Sequence, residues 1–124
     1  MILDHLNQLR AEIPECLAAS LIDMSSGLAL CTSAKEKYTQ ERLDALCSLA
    51  SELFEGSAAE TFSNALKTSD QRECIIMTVS ETCLYLRSVV DPQEAMFCIC
   101  SPDVDPKELL QNAKSCLNKI SAEQ

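Results

Sequence analysis

Residues 20–33 read SLIDMSSGLALCTS, two apolar runs on either side of the polar segment Asp23-Met24-Ser25-Ser26-Gly27. From Cys16 to Ile22 (CLAASLI) and from Leu28 to Thr32 (LALCT) the residues are small, apolar or β-branched with no helical period, which reads as two strands. The segment between them holds what a short hairpin loop needs. Asp23 can bond back to the turn backbone, and Gly27 can take the positive φ that four- and five-residue loops commonly require. A phosphate-gripping loop would call for several glycines and usually a Lys ahead of a helix, whereas here one glycine leads into a strand. The stretch therefore predicts a β-hairpin.

Upstream, Leu3, Leu6, Leu9 and Ile13 recur at helical spacing until Pro14 closes the segment, because the residue before a proline is pushed away from helical angles. Downstream, a polar connection from Ser33 leads to a second helix starting near Gln40, with Leu43, Leu46, Cys47, Ala50, Leu53 and Phe54 in one apolar stripe and Glu41 in the first turn. Gly56 ends or kinks it, and Ala58 to Leu66 (AAETFSNAL) can continue it. Three strands follow, Cys74–Ser80, Cys83–Val90 and Glu94–Cys100, joined by connections too short for helices, so neighbours should be antiparallel. A last helix follows Asp105-Pro106 and carries Leu109, Leu110, Ala113, Cys116, Leu117 and Ile120. Apolar residues on both faces of several strands imply a sheet covered on each side. The expected architecture is α/β (α+β): one domain over residues 1–124 with a single five-stranded antiparallel sheet, helices on both faces, and element order α-β-β-α-β-β-β-α.

Composition excludes several classes. The 124 residues hold 47% hydrophobic and 23% charged side chains, an ordinary globular balance. Ten Lys and Arg against nineteen Asp and Glu leave a formal charge of −9, which repels phosphate backbones and argues against nucleic acid as a partner. The run Met77–Val90 is broken by Ser80, Glu81 and Arg87 and is too short to cross a membrane, so no membrane partner is expected. The start MILDHLNQLRAEIPE has no signal-peptide pattern, which gives a cytoplasmic expectation. The eight cysteines lie within apolar segments where Val or Ala would also serve, so they read as reduced core thiols rather than a disulfide framework. There is no C-x-x-C and the sole histidine is His5, so no metal, cofactor or catalytic site is expected. Cys98-Ile-Cys100 on a strand points two thiols to one face, the best candidates for a redox role.

From Leu3 to Ile120 the chain resembles the roadblock/dynein light chain 7 family. The hairpin with Asp23-x-x-x-Gly27, the helix from about Gln40, and the strands YLRSVV and AMFCIC ahead of the last helix are similar to the family's first hairpin, central helix and closing strands. The start of the last helix, Val104-Asp105-Pro106, departs from the family's pattern. The resemblance implies a dimeric adaptor without catalytic residues, one that binds or regulates a Ras-like small GTPase, joins another roadblock-type subunit, or serves a motor or scaffold complex.

Two surfaces follow as expectations. The strand Glu73 to Val79 comes after a long connection and reads as a sheet edge, which pairing with its own copy would protect. Glu73, Ile75, Met77 and Val79 would then lie at a homodimer interface, with Leu46 and Leu53 of the second helices meeting across the same axis. Beside the core stripe of that helix runs a second one, Ala45, Ser48, Leu49 and Glu52, small and mildly apolar where a plain solvent face would be charged, and it is the candidate partner-binding surface. A profilin- or PAS-like sensing domain would use the same sheet as a pocket wall, but the inner strand positions read Ile, Val, Leu, Phe and Cys, as a filled core does.

Overall fold

Gly27 takes a φ of +71° and donates its amide to the Asp23 carbonyl at 2.8 Å. The Asp23 carboxylate accepts the Ser25 amide at 3.1 Å and the hydroxyls of Ser25 and Ser26 at 2.7 and 3.0 Å. These bonds, that from the Ser25 hydroxyl foremost, hold the Asp23 carboxyl below its ordinary range. The turn joins β1 (Cys16–Asp23) to β2 (Leu28–Ala34) as an antiparallel pair, with a bulge between Leu21 and Ile22.

The computed structural model describes residues 2–55 and 73–122. Around the hairpin are α1 (Ile2–Glu12), α2 (Gln40–Glu55), β3 (Glu73–Met77), β4 (Thr82–Arg87), β5 (Glu94–Cys100) and α3 (Pro106–Ala122). The continuation expected over Ala58–Leu66 and the break at Gly56 lie outside the described residues. The strands form one antiparallel sheet in the order β2-β1-β5-β4-β3. Fold class and element order are those the sequence predicts.

Each face of the sheet carries its own core. On one, Leu6, Leu9 and Ile13 from the α1 end and Leu109, Ala113, Leu117 and Ile120 of α3 pack on Ala19, Leu21, Leu84, Leu86, Met96 and Cys98. On the other, Cys47, Ala50, Leu53 and Phe54 of α2 pack on Ala18, Ile22, Tyr85, Phe97 and Ile99. The Tyr85 and Phe97 rings stand 6.2 Å apart and tilted by 43°. β5 runs between β1 and β4 and is buried at every residue, as expected for a strand with neighbours on both edges and helices on both faces. A fully buried Phe or Leu contributes roughly 1.5–3 kcal/mol, so this strand anchors the fold.

The inward face of α1 and the ends of β3 and β4 differ from the sequence reading, each for a local reason. Leu3 is exposed, and the inward face of α1 is set by Leu6 and Leu9 with Ile2 half-buried. β3 stops at Met77 because the Thr78 hydroxyl accepts the amides of Ser80 and Glu81 at 3.3 and 3.1 Å, turning the chain. β4 stops at Arg87 because Ser88 Oγ accepts the amides of Val90 and Asp91, both at 3.1 Å, which leaves Val89 and Val90 exposed. Ser88 Oγ also lies 3.0 Å from Ser121 Oγ, which donates to the buried Glu94 carboxylate at 3.0 Å and ties the end of α3 to the β4–β5 turn. All eight cysteines carry free thiols; six are buried, and Cys31 and Cys74 are half-buried.

Candidate protein-docking surface

Thr39 starts α2. Its hydroxyl accepts the Arg42 amide at 3.2 Å, satisfying one of the amides that a helix start leaves without a partner. Cys47 and Ala50 are fully enclosed, and Leu53 is only 4% exposed. Ala45, Ser48, Leu49 and Glu52 are exposed on the other side. Glu41 and Asp44 are exposed too, so the outward surface of α2 is small and apolar with acidic neighbours. A Leu there, 39% exposed, is the kind of apolar group that a polar-rimmed contact uses.

Arg42 fixes how α2 sits relative to the far end of the sheet. Its Nη2 bonds both carboxylate oxygens of Glu81, at 2.9 and 3.1 Å, in the turn after β3. Its guanidinium lies 5.6 Å from the Tyr38 ring centre. An ion pair this exposed contributes about 0–1 kcal/mol, so its part is to orient the helix rather than hold it down.

Among the described residues β4 is the only strand beside β3. The Thr78 amide donates to the Glu81 carbonyl at 2.9 Å, so the backbone groups of Thr78 face β4. By the alternation of an antiparallel ladder, those of Met77 and Ile75 face the open edge. Met77 is 59% exposed, Cys74, Ile75 and Ile76 are half-buried, and Glu73 is exposed. Cys74 and Ile76 pack on the α2 face of the sheet and Ile75 on the opposite one.

The residues expected at a dimer interface are not equivalent. Met77 and Ile75 sit on the open edge and Leu46 is half-buried on α2. Val79 lies beyond the strand, in the Thr78–Glu81 turn and fully exposed, so it adds nothing to a ladder. The Leu53 side chain is spent inside its own protomer, because the inward face of α2 is wider than a strict two-position stripe. Glu73 pairs with Lys114 of α3 at 2.9 Å.

Among the described residues no group of three or more His, Cys, Asp or Glu is placed to hold a metal ion, and no helix is long and apolar enough to cross a membrane. Tyr85 is buried beneath α2 with its hydroxyl unpartnered among the described residues, and burial, foremost, pushes its pKa up. Sequence reasoning missed that orphaned hydroxyl, since nothing local distinguishes this Tyr from a core aromatic.

No family model matches the chain, and no curated protein is similar enough to match it. Solved structures do match. Over 98% of this chain and 95% of the other it superposes on a Roadblock/LC7 domain from Streptomyces avermitilis, with a TM-score of 0.78 at 14% identity. It is similar to MglB in a tetrameric arrangement, with a TM-score of 0.80 at 14% identity over 98% of this chain and 85% of that one. The gliding protein MglB from Thermus thermophilus matches over 99% and 90% of the two chains, with a TM-score of 0.78 at 15% identity. The fold is the roadblock fold.

Proposed function

We propose that this protein is a non-catalytic adaptor that works as a homodimer and binds a Ras-like small GTPase or another roadblock-type subunit. The observations that carry this reading are the exposed outward stripe of α2, Ala45, Ser48, Leu49 and Glu52, and a sheet edge whose Met77 and Ile75 backbone groups face outward. One copy's β3 beside another's would extend the sheet across a two-fold axis and remove two exposed edges at once. Met77, Ile75 and Leu46 are the contacts of this dimer; Leu53 is left to the protomer's core. The resemblance to roadblock domains supports self-association, and a tetrameric arrangement is recorded for one of the structures with this fold.

The α2 stripe then serves the partner. Small side chains let a partner backbone approach closely, and the acidic flank favours a partner with basic residues around an apolar contact.

Two variants test the two surfaces separately. Met77→Pro removes an outward donor without touching the β3–β4 ladder, so light scattering should give a mass near the 13.6 kDa of one chain where the parent gives twice that. A parent that runs as one chain would sink the dimer. Ser48→Arg sits at an exposed helix position and should stay folded and dimeric while losing capture of Ras-like GTPases loaded with GDP or a GTP analogue, because the long side chain, drawn to Asp44 and Glu52 one turn either side, covers the small-residue stripe and repels a basic partner. If Ser48→Arg turns monomeric, the stripe belongs to the dimer. Undiminished capture would place docking elsewhere.

A further inference from the structure

Cys16 opens β1, Cys100 closes β5, and the two are direct partners across the ladder. The Ser101 amide donates to the Glu15 carbonyl at 2.9 Å, so the ladder hydrogen bonds flank the Cys16–Cys100 pair rather than join it. In such a pair the Cα atoms stand about 4.5 Å apart with the side chains drawn together, within the span that a disulfide bridges. A bulge between Cys16 and Ala18 puts the two thiols on the same side. Without it, Cys16 would share the α2 face with Ala18; with it, Cys16 joins Cys98 and Cys100 in the cluster under α1 and α3. Bulges that re-aim one side chain in this way recur beside reactive sites.

We propose that Cys16 and Cys100 form a peroxide-reactive dithiol that closes to an intrachain disulfide, with Cys98 beside them as a second resolving thiol. The Cys16 thiol donates to the Ala18 carbonyl at 3.4 Å, and the neighbouring Cys100 thiol first and Cys98 thiol second, aided by the nearby Arg10 charge, favour its thiolate, which is the nucleophile. Its sulfur attacks one oxygen of a hydroperoxide and the O–O bond breaks. Cys16 becomes a sulfenic acid, and the departing oxygen takes up the Cys16 proton to leave as water, or as an alcohol from an organic peroxide. The Cys100 sulfur then attacks the Cys16 sulfur, the S–O bond breaks, and a second oxygen leaves as water with the Cys100 proton. Two thiols lose two electrons in all, and one peroxide gains them. Cys16 is 2% exposed and Cys100 is enclosed, so the reaction requires a local opening that admits a small peroxide.

The remaining thiols provide the contrast. Cys31 and Cys74 are the more exposed ones, yet burial raises each of them, and their ladder partners are Leu21 and Tyr85. Oxidation governed by exposure would strike these two; oxidation governed by the cluster would strike Cys16. The experiment treats the reduced full chain with a small excess of hydrogen peroxide, then blocks free thiols and maps peptides by mass spectrometry. The expected result is a loss of two hydrogens per chain and a peptide joining Cys16 to Cys100. Cys16→Ser should slow thiol loss about tenfold or more, and Cys100→Ser should give a Cys16–Cys98 bridge or a trapped sulfenic acid on Cys16. A Cys16→Ala variant and circular dichroism guard against misfolding, and the map of the parent chain stands without either variant. First oxidation at Cys31 or Cys74, eight surviving thiols, or an unchanged rate in Cys16→Ser would overturn the proposal.

Discussion

At Gly27 a side chain would meet only a backbone cost, since φ is +71° and an added Cβ would find nothing within 4 Å. Gly27→Ala should therefore lose about 1–2 kcal/mol, with Gly27→Asn closer to the parent because Asn tolerates the left-handed region. Urea denaturation with unchanged m-values would show both; equal stability of the three proteins would contradict the turn geometry. This site was legible in the sequence because its chemistry is local: an Asp and a Gly four residues apart suffice to write the turn. Cys16 was not. Its face is decided by a bulge against β5, a partner distant in the chain, and a period-two reading of β1 places it on the wrong side.

The second helix shows where pattern reading stops at the scale of an element. Its apolar positions were legible, but which of them serve the protomer and which serve a neighbour depends on the curvature and offset of the sheet beneath. Leu53→Ala should cost about 2–5 kcal/mol while leaving the dissociation constant of the dimer unchanged, because that side chain fills the α2 face of the core. Analytical ultracentrifugation would decide; a variant that dissociates yet keeps its unfolding midpoint would return Leu53 to the interface. The ends of β3 and β4 escaped pattern reading for a different reason. Val79, Val89 and Val90 have strong strand propensity, and single hydroxyls on Thr78 and Ser88 outbid it by capturing the next amides.

For the whole molecule, the five antiparallel strands, the two covered faces and the closing helix were all readable, since alternation, short connections and an acid-proline helix start leave few topologies; the order β2-β1-β5-β4-β3, which sets β1 beside β5, was not. What binds the finished surface was not, because docking depends on which exposed residues are neighbours in space. One collective property follows from the thiols. Burial, foremost, raises Cys83 and Cys116 from 9.0 to about 11, while in the unfolded chain they ionise near 9.0. Their contribution to stability is thus complete below pH 9 and lost as pH rises from there through about 11. Thermal unfolding under reducing conditions should show a midpoint that falls across this window, and Cys83→Ala with Cys116→Ala should flatten the fall. A midpoint independent of pH there would contradict the burial.

The pairing of β1 with β5 has a consequence in time. The β1–β2 and β4–β5 hairpins can each close over a short stretch of chain, but Cys16 meets Cys100 only once nearly all the intervening sequence has been gathered in. Loop-closure entropy falls on that one event. The middle of the sheet, the most deeply buried part of the finished protein, is then the last to assemble. A chain emerging from the ribosome holds β1 without its central neighbour until β5 is out, with the apolar edge that β5 will cover open in the meantime. Folding slows to the rate of a non-local step, and substitutions along the β1–β5 seam act mostly on how fast the protein folds, because the pairing they weaken belongs to that step.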